Sequence, residues 1–151
     1  MHPRFQGDAL ISGDKMYWKA LSGTADYFYF VFRVFIGLLF FQHGAQKLFG
    51  WFGGEAAELF SLMGVAGLIE FFGGLLIAIG LLTQIVALVG IIEMAVAYLM
   101  VHFPQGIVPI MNGGELALLY FAAFLVIFVY GARKFGVDNL IFKKRGQKRG
   151  Q

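Results

Sequence analysis

The chain has 151 residues, of which 59% are hydrophobic and 14% charged, with a net charge of +3. An average soluble domain carries about 25% charged residues, so this composition excludes a disordered chain and a soluble globule with a polar surface. It points to one polytopic membrane domain, and a cysteine count of zero excludes a disulfide, a thiolate metal site, an iron–sulfur ligand set and a thiol nucleophile within the chain.

Residues 1–26 are mixed and polar. They lack the charged start, apolar run and small-residue cleavage site of a secretory signal, and read as a cytoplasmic N-terminal segment. A bilayer core needs about 20 mostly apolar residues per helix. The first span is expected over about Phe28–Phe49 and ends in the more polar Gln42, His43, Gln46 and Lys47. A stretch containing Glu55, Glu58, Leu59 and Phe60 follows and reads as a short amphipathic helix on the membrane surface. The second span is expected over Leu62–Leu82 and the third over Ile85–Val101, with Thr83 as N-cap of the third. Pro104 and Pro109 mark the next loop. Asn112 and Glu115 have the spacing of a capping box before the fourth span, Leu116–Tyr130. The membrane domain covers 27–141, and residues 142–151 form a basic tail. The runs are too long, and too continuous, for barrel strands. The predicted fold is therefore an all-α, integral membrane four-helix bundle.

Charge sets the expected orientation. Arg4, Lys15 and Lys19 precede span one, and Arg133, Lys134, Lys143, Lys144, Arg145, Lys148 and Arg149 follow span four, so ten of the 12 Lys/Arg lie on one side. The positive-inside rule makes both termini cytoplasmic in a multi-pass cell-membrane protein. Tyr17, Trp18, Trp51, Tyr98 and Tyr130 sit near the span ends, where interfacial aromatics belong. The basic tail reads as an anchor on anionic membrane lipid; no nucleic-acid partner is implied.

Arg33, Glu70 and Glu93 interrupt apolar runs. Ionisable residues at such depth face the bundle interior and pair. Counting about 1.5 Å per residue suggests two layers. In the inner one, Arg33 and Glu93 form a structural ion pair. In the outer one, Glu70 meets His43, Gln46 and Lys47, with His102 and Glu115 at the same face. Arg33, Gly37, Phe40, Gly44 and Lys47 share one helix face; so do Gly67, Glu70 and Gly74, and likewise Gly90, Glu93 and Ala97. Small residues beside each carboxylate permit close helix approach in lipid. The surplus of polar groups in the outer layer marks His43, Lys47 and Glu70 as candidate catalytic residues able to exchange protons or hold a polar headgroup. The bland reading of each group is a pair that fixes helix register. Two histidines on different helices, His43 and His102, are a weak signal for haem. The chain has no HExxH, phosphate-loop or dinucleotide-binding motif and no metal site.

Three segments carry a family resemblance: Arg33 through His43-Gly44-Ala-Gln-Lys47 to Gly50; Gly67-Leu-Ile-Glu70 through Gly73-Gly74 and Gly80 to Thr83; and Tyr130-Gly131-Ala-Arg133 through Gly136 to Asp138. Together they resemble the DoxX family of small four-helix membrane proteins over about residues 28–141. Ala132 and Val137 stand where the family pattern has proline and serine. The resemblance implies an oxidoreductase-related protein with Arg33, His43, Lys47 and Glu70 as motif residues. Such a protein would be a membrane subunit of a redox system that handles a quinone-type lipophilic carrier, with a protein partner or a second copy. An apolar slot with hydrogen-bonding groups suits a quinone; Phe40, Phe41 and Phe72 are its expected lining, His43 and Lys47 its donors and Glu70 its proton relay. The alternatives are a non-catalytic assembly or anchoring subunit, and a small proton-coupled transporter.

Overall fold

Glycines decide how the first two long helices meet. A Cβ on Gly37 would lie 2.6 Å from the Gly74 carbonyl oxygen, and one on Gly44 would run into the backbone of Phe71. The two backbones therefore touch along the face expected from the sequence, with Phe41 against Phe71 at 4.5 Å between ring centroids. In lipid, where apolar burial gives no extra drive, such close packing is what joins helices.

The structure is a computed structural model that describes residues 7–141, with side chains from 23 onward. Its helices are α1 (Gly7–Phe49), α2 (Leu62–Ile79), α3 (Thr83–Ala97), the short α4 (Pro109–Asn112) and α5 (Glu115–Tyr130). No strand occurs among the described residues. Beyond Ala97 the third helix continues through a π turn, Tyr98–His102, and a 3-10 turn, Phe103–Gln105. Three stretches are long and apolar enough to cross a membrane: Gly23–Phe49, Leu62–Ile79 and Thr83–Gln105. Helix α5 has 16 residues, about 24 Å at the helical rise. The expected Lys15, Tyr17, Trp18 and Lys19 side chains and the basic tail lie outside the described residues.

Helices α1 and α2 form one close pair, and α3 and α5 another. Gly90 of α3 sits against the Phe124 ring of α5, 2.8 Å from where a Cβ would stand. Phe40 of α1 wedges between the pairs. It is 1% exposed and meets Phe124 edge-on at 4.8 Å and Tyr120 at 5.4 Å. Ile77, Ala87, Met94 and Ile127 complete the core. The outward Phe, Leu and Ile side chains stay exposed, as a lipid-facing surface requires.

Caps depart from expectation in three places. Thr83 does not cap α3: the residue before the helix is Leu82, in a left-handed conformation at φ +52. The Asp138 carboxylate caps α3 instead, accepting from the Leu82 and Thr83 backbone N–H groups at 2.7 and 3.0 Å. A full negative charge at a helix N-terminus outcompetes a neutral hydroxyl. Asn112 and Glu115 form no capping box. Asn112 accepts from Gly114 N–H at 2.8 Å and donates to Gly106 O at 2.6 Å, so it braces the loop. Residues 54–60 are irregular, which corrects the expected amphipathic helix. Ala57 N–H donates to Lys47 O at 2.8 Å, so the segment folds back on the end of α1. Ser61, which the sequence did not single out, caps α2 by accepting from Gly64 N–H at 3.1 Å.

Candidate functional site

The bundle has a turn end, where α2 passes into α3, and a loop end, formed by residues 50–61 and 103–114. Arg33 belongs to the turn end. Helix α2 stops there at Gly80, φ +73, a conformation that glycine adopts without steric cost. Stopping leaves α2 carbonyls without helical partners. Arg33, fully buried, donates to Ile77 O, to Ala78 O at 3.2 Å and to Phe135 O at 2.8 Å. The expected Arg33–Glu93 ion pair does not form. Glu93 follows Thr83 by ten residues, about 15 Å up the helix, while Arg33 lies level with the last turn of α2. A planar guanidinium beside the carbonyls of a helix C-terminus finds acceptors for both terminal nitrogens without a carboxylate, while its Nε is left without a partner.

The chain after α5 closes this end. Asp138 caps α3 and its own N–H donates to Gly80 O at 2.9 Å. Tyr29 donates to Gly131 O at 2.7 Å, and Arg133 pairs with Asp26 at 3.3 Å. The turn end is thus a clasp of α1, α2, α3 and the C-terminal segment.

Glu93 instead joins Glu70. Glu70 precedes Ile79 by nine residues, about 14 Å, so both carboxylates lie at nearly the same level in mid-bundle. Lys47 Nζ donates to Glu70 Oε1 at 2.6 Å. Glu70 is 3% exposed. Its Oε2 and both oxygens of Glu93 are buried with no hydrogen-bond partner among the described residues. A buried polar atom without a partner costs free energy on the order of 1–3 kcal/mol, so three of them in one place call for an explanation.

These groups line a cavity of about 340 Å³ between α2 and the latter part of the third helix. Lys47, Glu70, Glu93 and His102 are its polar members; Leu62, Met63, Ile92, Val96 and Met100 are among its apolar walls and are themselves exposed. The cavity therefore opens toward the lipid-facing surface. Its size is within the range of small-molecule sites, about 300–1,000 Å³. His102 Nδ1 lies 3.0 Å from Asn112 O. A carbonyl only accepts, so Nδ1 carries the proton of this bond.

His102 reaches the cavity because of the π turn. Glu93 and His102 are nine residues apart, and at about 100° per residue an α-helix would put them on opposite faces. The wider turn at Tyr98–His102 delays the rotation and brings His102 round. Such turns recur at functional sites.

His43 is not joined to this set by any hydrogen bond; its ring meets Tyr120 edge-on at 5.8 Å. Gln42 is exposed. The expected slot of Phe40, Phe41 and Phe72 is also corrected: Phe40 is core, Phe41 packs on Phe71 and Phe72 is exposed. A larger groove of about 440 Å³ between α1 and α5 is apolar, with Tyr120 among its lining residues. A third, at the α2–α3 turn, is lined by Asp138 and Arg133, both already paired. Among the described residues no group of three or more His, Asp or Glu side chains is arranged to hold a metal ion.

The DoxX family model matches residues 28–103. An uncharacterised protein of Haemophilus influenzae is 38% identical over 125 residues, covering 78% of this chain and 93% of the relative. A Bacillus subtilis protein named "Putative oxidoreductase CatD" is 30% identical over 124 residues, covering 78% of this chain and 88% of the relative. No solved structure matches.

Proposed function

The chain belongs to the DoxX family, and on that premise we propose that it is a membrane subunit of a redox system that handles a quinone-type lipophilic carrier in the cavity between α2 and α3. The observation that carries this reading is the lipid-facing cavity with partnerless carboxylate oxygens on its polar side. A quinone site needs an apolar slot and groups that exchange hydrogen bonds or protons with the ring oxygens. Lys47 and Glu70 supply a coupled donor and acceptor, and Glu93 adds a second carboxylate. The oxidoreductase name of the Bacillus relative supports a redox setting. His43, beside Tyr120, is assigned a place behind the site.

In this reading α5 is a fourth crossing. One end of it lies against α3 where Gln84 donates to Phe128 O at 3.0 Å, and the other where Gly114 abuts the Tyr98 ring. It therefore runs alongside α3 from Gln84 to Tyr98. Both termini are placed in the cytoplasm, on the strength of the ten basic residues at the terminal side. An impermeant thiol reagent applied to intact cells should leave Gln6→Cys and Gln147→Cys unlabelled; labelling of either rejects this orientation.

The functional test is Glu70→Gln, which keeps size and hydrogen bonding and removes the charge. The variant is expected to insert and fold but to lose co-purifying quinone and quinone-linked activity in membranes at equal protein level. Unchanged ligand content and activity would reject the site. A second reading, a non-catalytic assembly subunit, is favoured by the apolar groove that α1 and α5 leave open. Normal activity with a lower melting temperature in Glu70→Gln would support it.

A further inference from the structure

The pocket at the α2–α3 turn has no part in the quinone reading. It measures about 430 Å³, and Thr83, Arg133, Asp138 and Asn139 are among its polar lining. Arg133 is held there by three restraints. Its Nε pairs with Asp26 at 3.3 Å. Its guanidinium carbon lies 5.0 Å from the centre of the Tyr130 ring and 5.9 Å from that of Tyr29. Its backbone is left-handed at φ +46, which a non-glycine residue adopts at a steric cost. These contacts leave its two terminal nitrogens without a hydrogen bond to any described residue. A planar fork with both terminal nitrogens open takes a phosphate by two parallel hydrogen bonds.

A second observation in the same pocket points to a ligand. Thr83 is fully buried, and its hydroxyl has no partner among the described residues, although buried hydroxyls are ordinarily bonded. A hydroxyl donates to an anion, as does the side-chain amide of Asn139. The Asp138 carboxylate is the one acid in the lining, and both of its oxygens are engaged by the Leu82 and Thr83 N–H groups. The described charged side chains at this end are Arg33, Arg133 and Lys134 against Asp26 and Asp138, three cations and two anions. Leu82, Ile85 and Tyr130 also line the pocket and are exposed, so its polar groups adjoin surface that faces lipid tails. We propose that this pocket binds the phosphate of an anionic membrane lipid, with Arg133 as the clamp and Thr83 and Asn139 as further donors. A soluble phosphate would use the same donors but gain nothing from Leu82 and Ile85. The position at the helix ends, on the side that carries the basic residues, is where anionic headgroups gather. The site is independent of the cavity that holds Glu70 and Glu93.

The test is native mass spectrometry of the delipidated full chain in detergent micelles, titrated with three probes. Dioleoylphosphatidylglycerol carries tails and phosphate, dioleoylglycerol the tails alone, and glycerol phosphate the phosphate alone. Wild type should bind the phospholipid about tenfold or more tightly than either of the others, the difference expected of one hydrogen bond between charged groups. Dioleoylglycerol binding as tightly overturns the phosphate clamp, and glycerol phosphate binding as tightly makes the pocket a soluble-anion site and overturns the lipid. Arg133→Ala should lower phospholipid affinity about tenfold, and Arg133→Lys should recover only part of it, since an ammonium lacks the fork. Lys134→Ala should change it by less than about twofold, because exposed charges outside the pocket act weakly. The basic tail is present in every variant, so its attraction for lipid cancels. An equal loss in Lys134→Ala and Arg133→Ala means diffuse attraction and overturns the site. If Arg133→Ala does not fold, Thr83→Val decides the matter, because it keeps the shape and removes a hydroxyl that bonds nothing in the chain described. A loss of about threefold or more supports the site, and unchanged affinity overturns it.

Discussion

At the turn end of the bundle a buried guanidinium donates to carbonyls of Ile77, Ala78 and Phe135, and an aspartate closes the N-terminus of α3. In mid-bundle, toward the loop end, two carboxylates sit in a cavity with three oxygens that nothing among the described residues satisfies. Both regions place charge where a membrane protein can least tolerate it. One uses it to tie backbone ends together. The other holds it in reserve for something outside the chain. Buried charge by itself therefore does not mark a site in this protein: Arg33 leaves one atom, Nε, without a partner, whereas the two carboxylates leave three oxygens at one cavity.

The contrast can be broken most forcefully at Arg33. Arg33→Leu strands several buried carbonyls at once and should lower stability by about 3 kcal/mol or more, read as a shift in the unfolding midpoint in mixed detergent micelles. Arg33→Lys should recover little of this, because a point ammonium cannot serve the acceptors that the planar fork reaches. Combining Arg33→Leu with Glu93→Leu should give additive effects within about 0.5 kcal/mol, since the two groups share no partner. A larger coupling would show that they meet after all. Asp138→Ala comes next: loss of the charged cap of α3 should cost about 1–2 kcal/mol in the same measurement. Asp138→Asn should retain part of it, because an amide oxygen still accepts. The smallest effect, and the one of opposite sign, belongs to Glu93→Leu. Removing a carboxylate without partners should leave stability unchanged or raise it by about 1 kcal/mol, while co-purifying quinone is lost. A destabilisation comparable to that of Arg33→Leu would mean that Glu93 is structural.

The helices and their contact faces were legible because they follow from periodicity. Gly37, Gly44, Gly67 and Gly74 recur at helical spacing, and the structure packs them where the pattern says. The Lys47–Glu70 pair was legible from depth on adjacent spans. Arg33 was not, because its partners are backbone carbonyls, which no inventory of side chains contains. Asp138 was missed as the cap of α3 for a related reason: it lies 55 residues from Thr83, and local capping rules look only at neighbours. Its signal was an acid among basic residues on the same membrane side as the start of α3. Glu93 was misplaced because its depth was counted from one face and that of Glu70 from the other; near the midplane the two counts converge.

The π turn at Tyr98–His102 gives the third helix two phases. Upstream of it, Ala87, Gly90 and Met94 obey one face rule and seal the core. Downstream, every residue is displaced around the axis by the one extra position that the wider turn accommodates. A wheel drawn with one constant pitch through 83–105 puts His102 on the face opposite Glu93, although both line the cavity. The same displacement governs comparison between relatives. A chain that lacks the extra residue would present a different position of its third helix to the cavity, so column-by-column equivalence there is not equivalence in space.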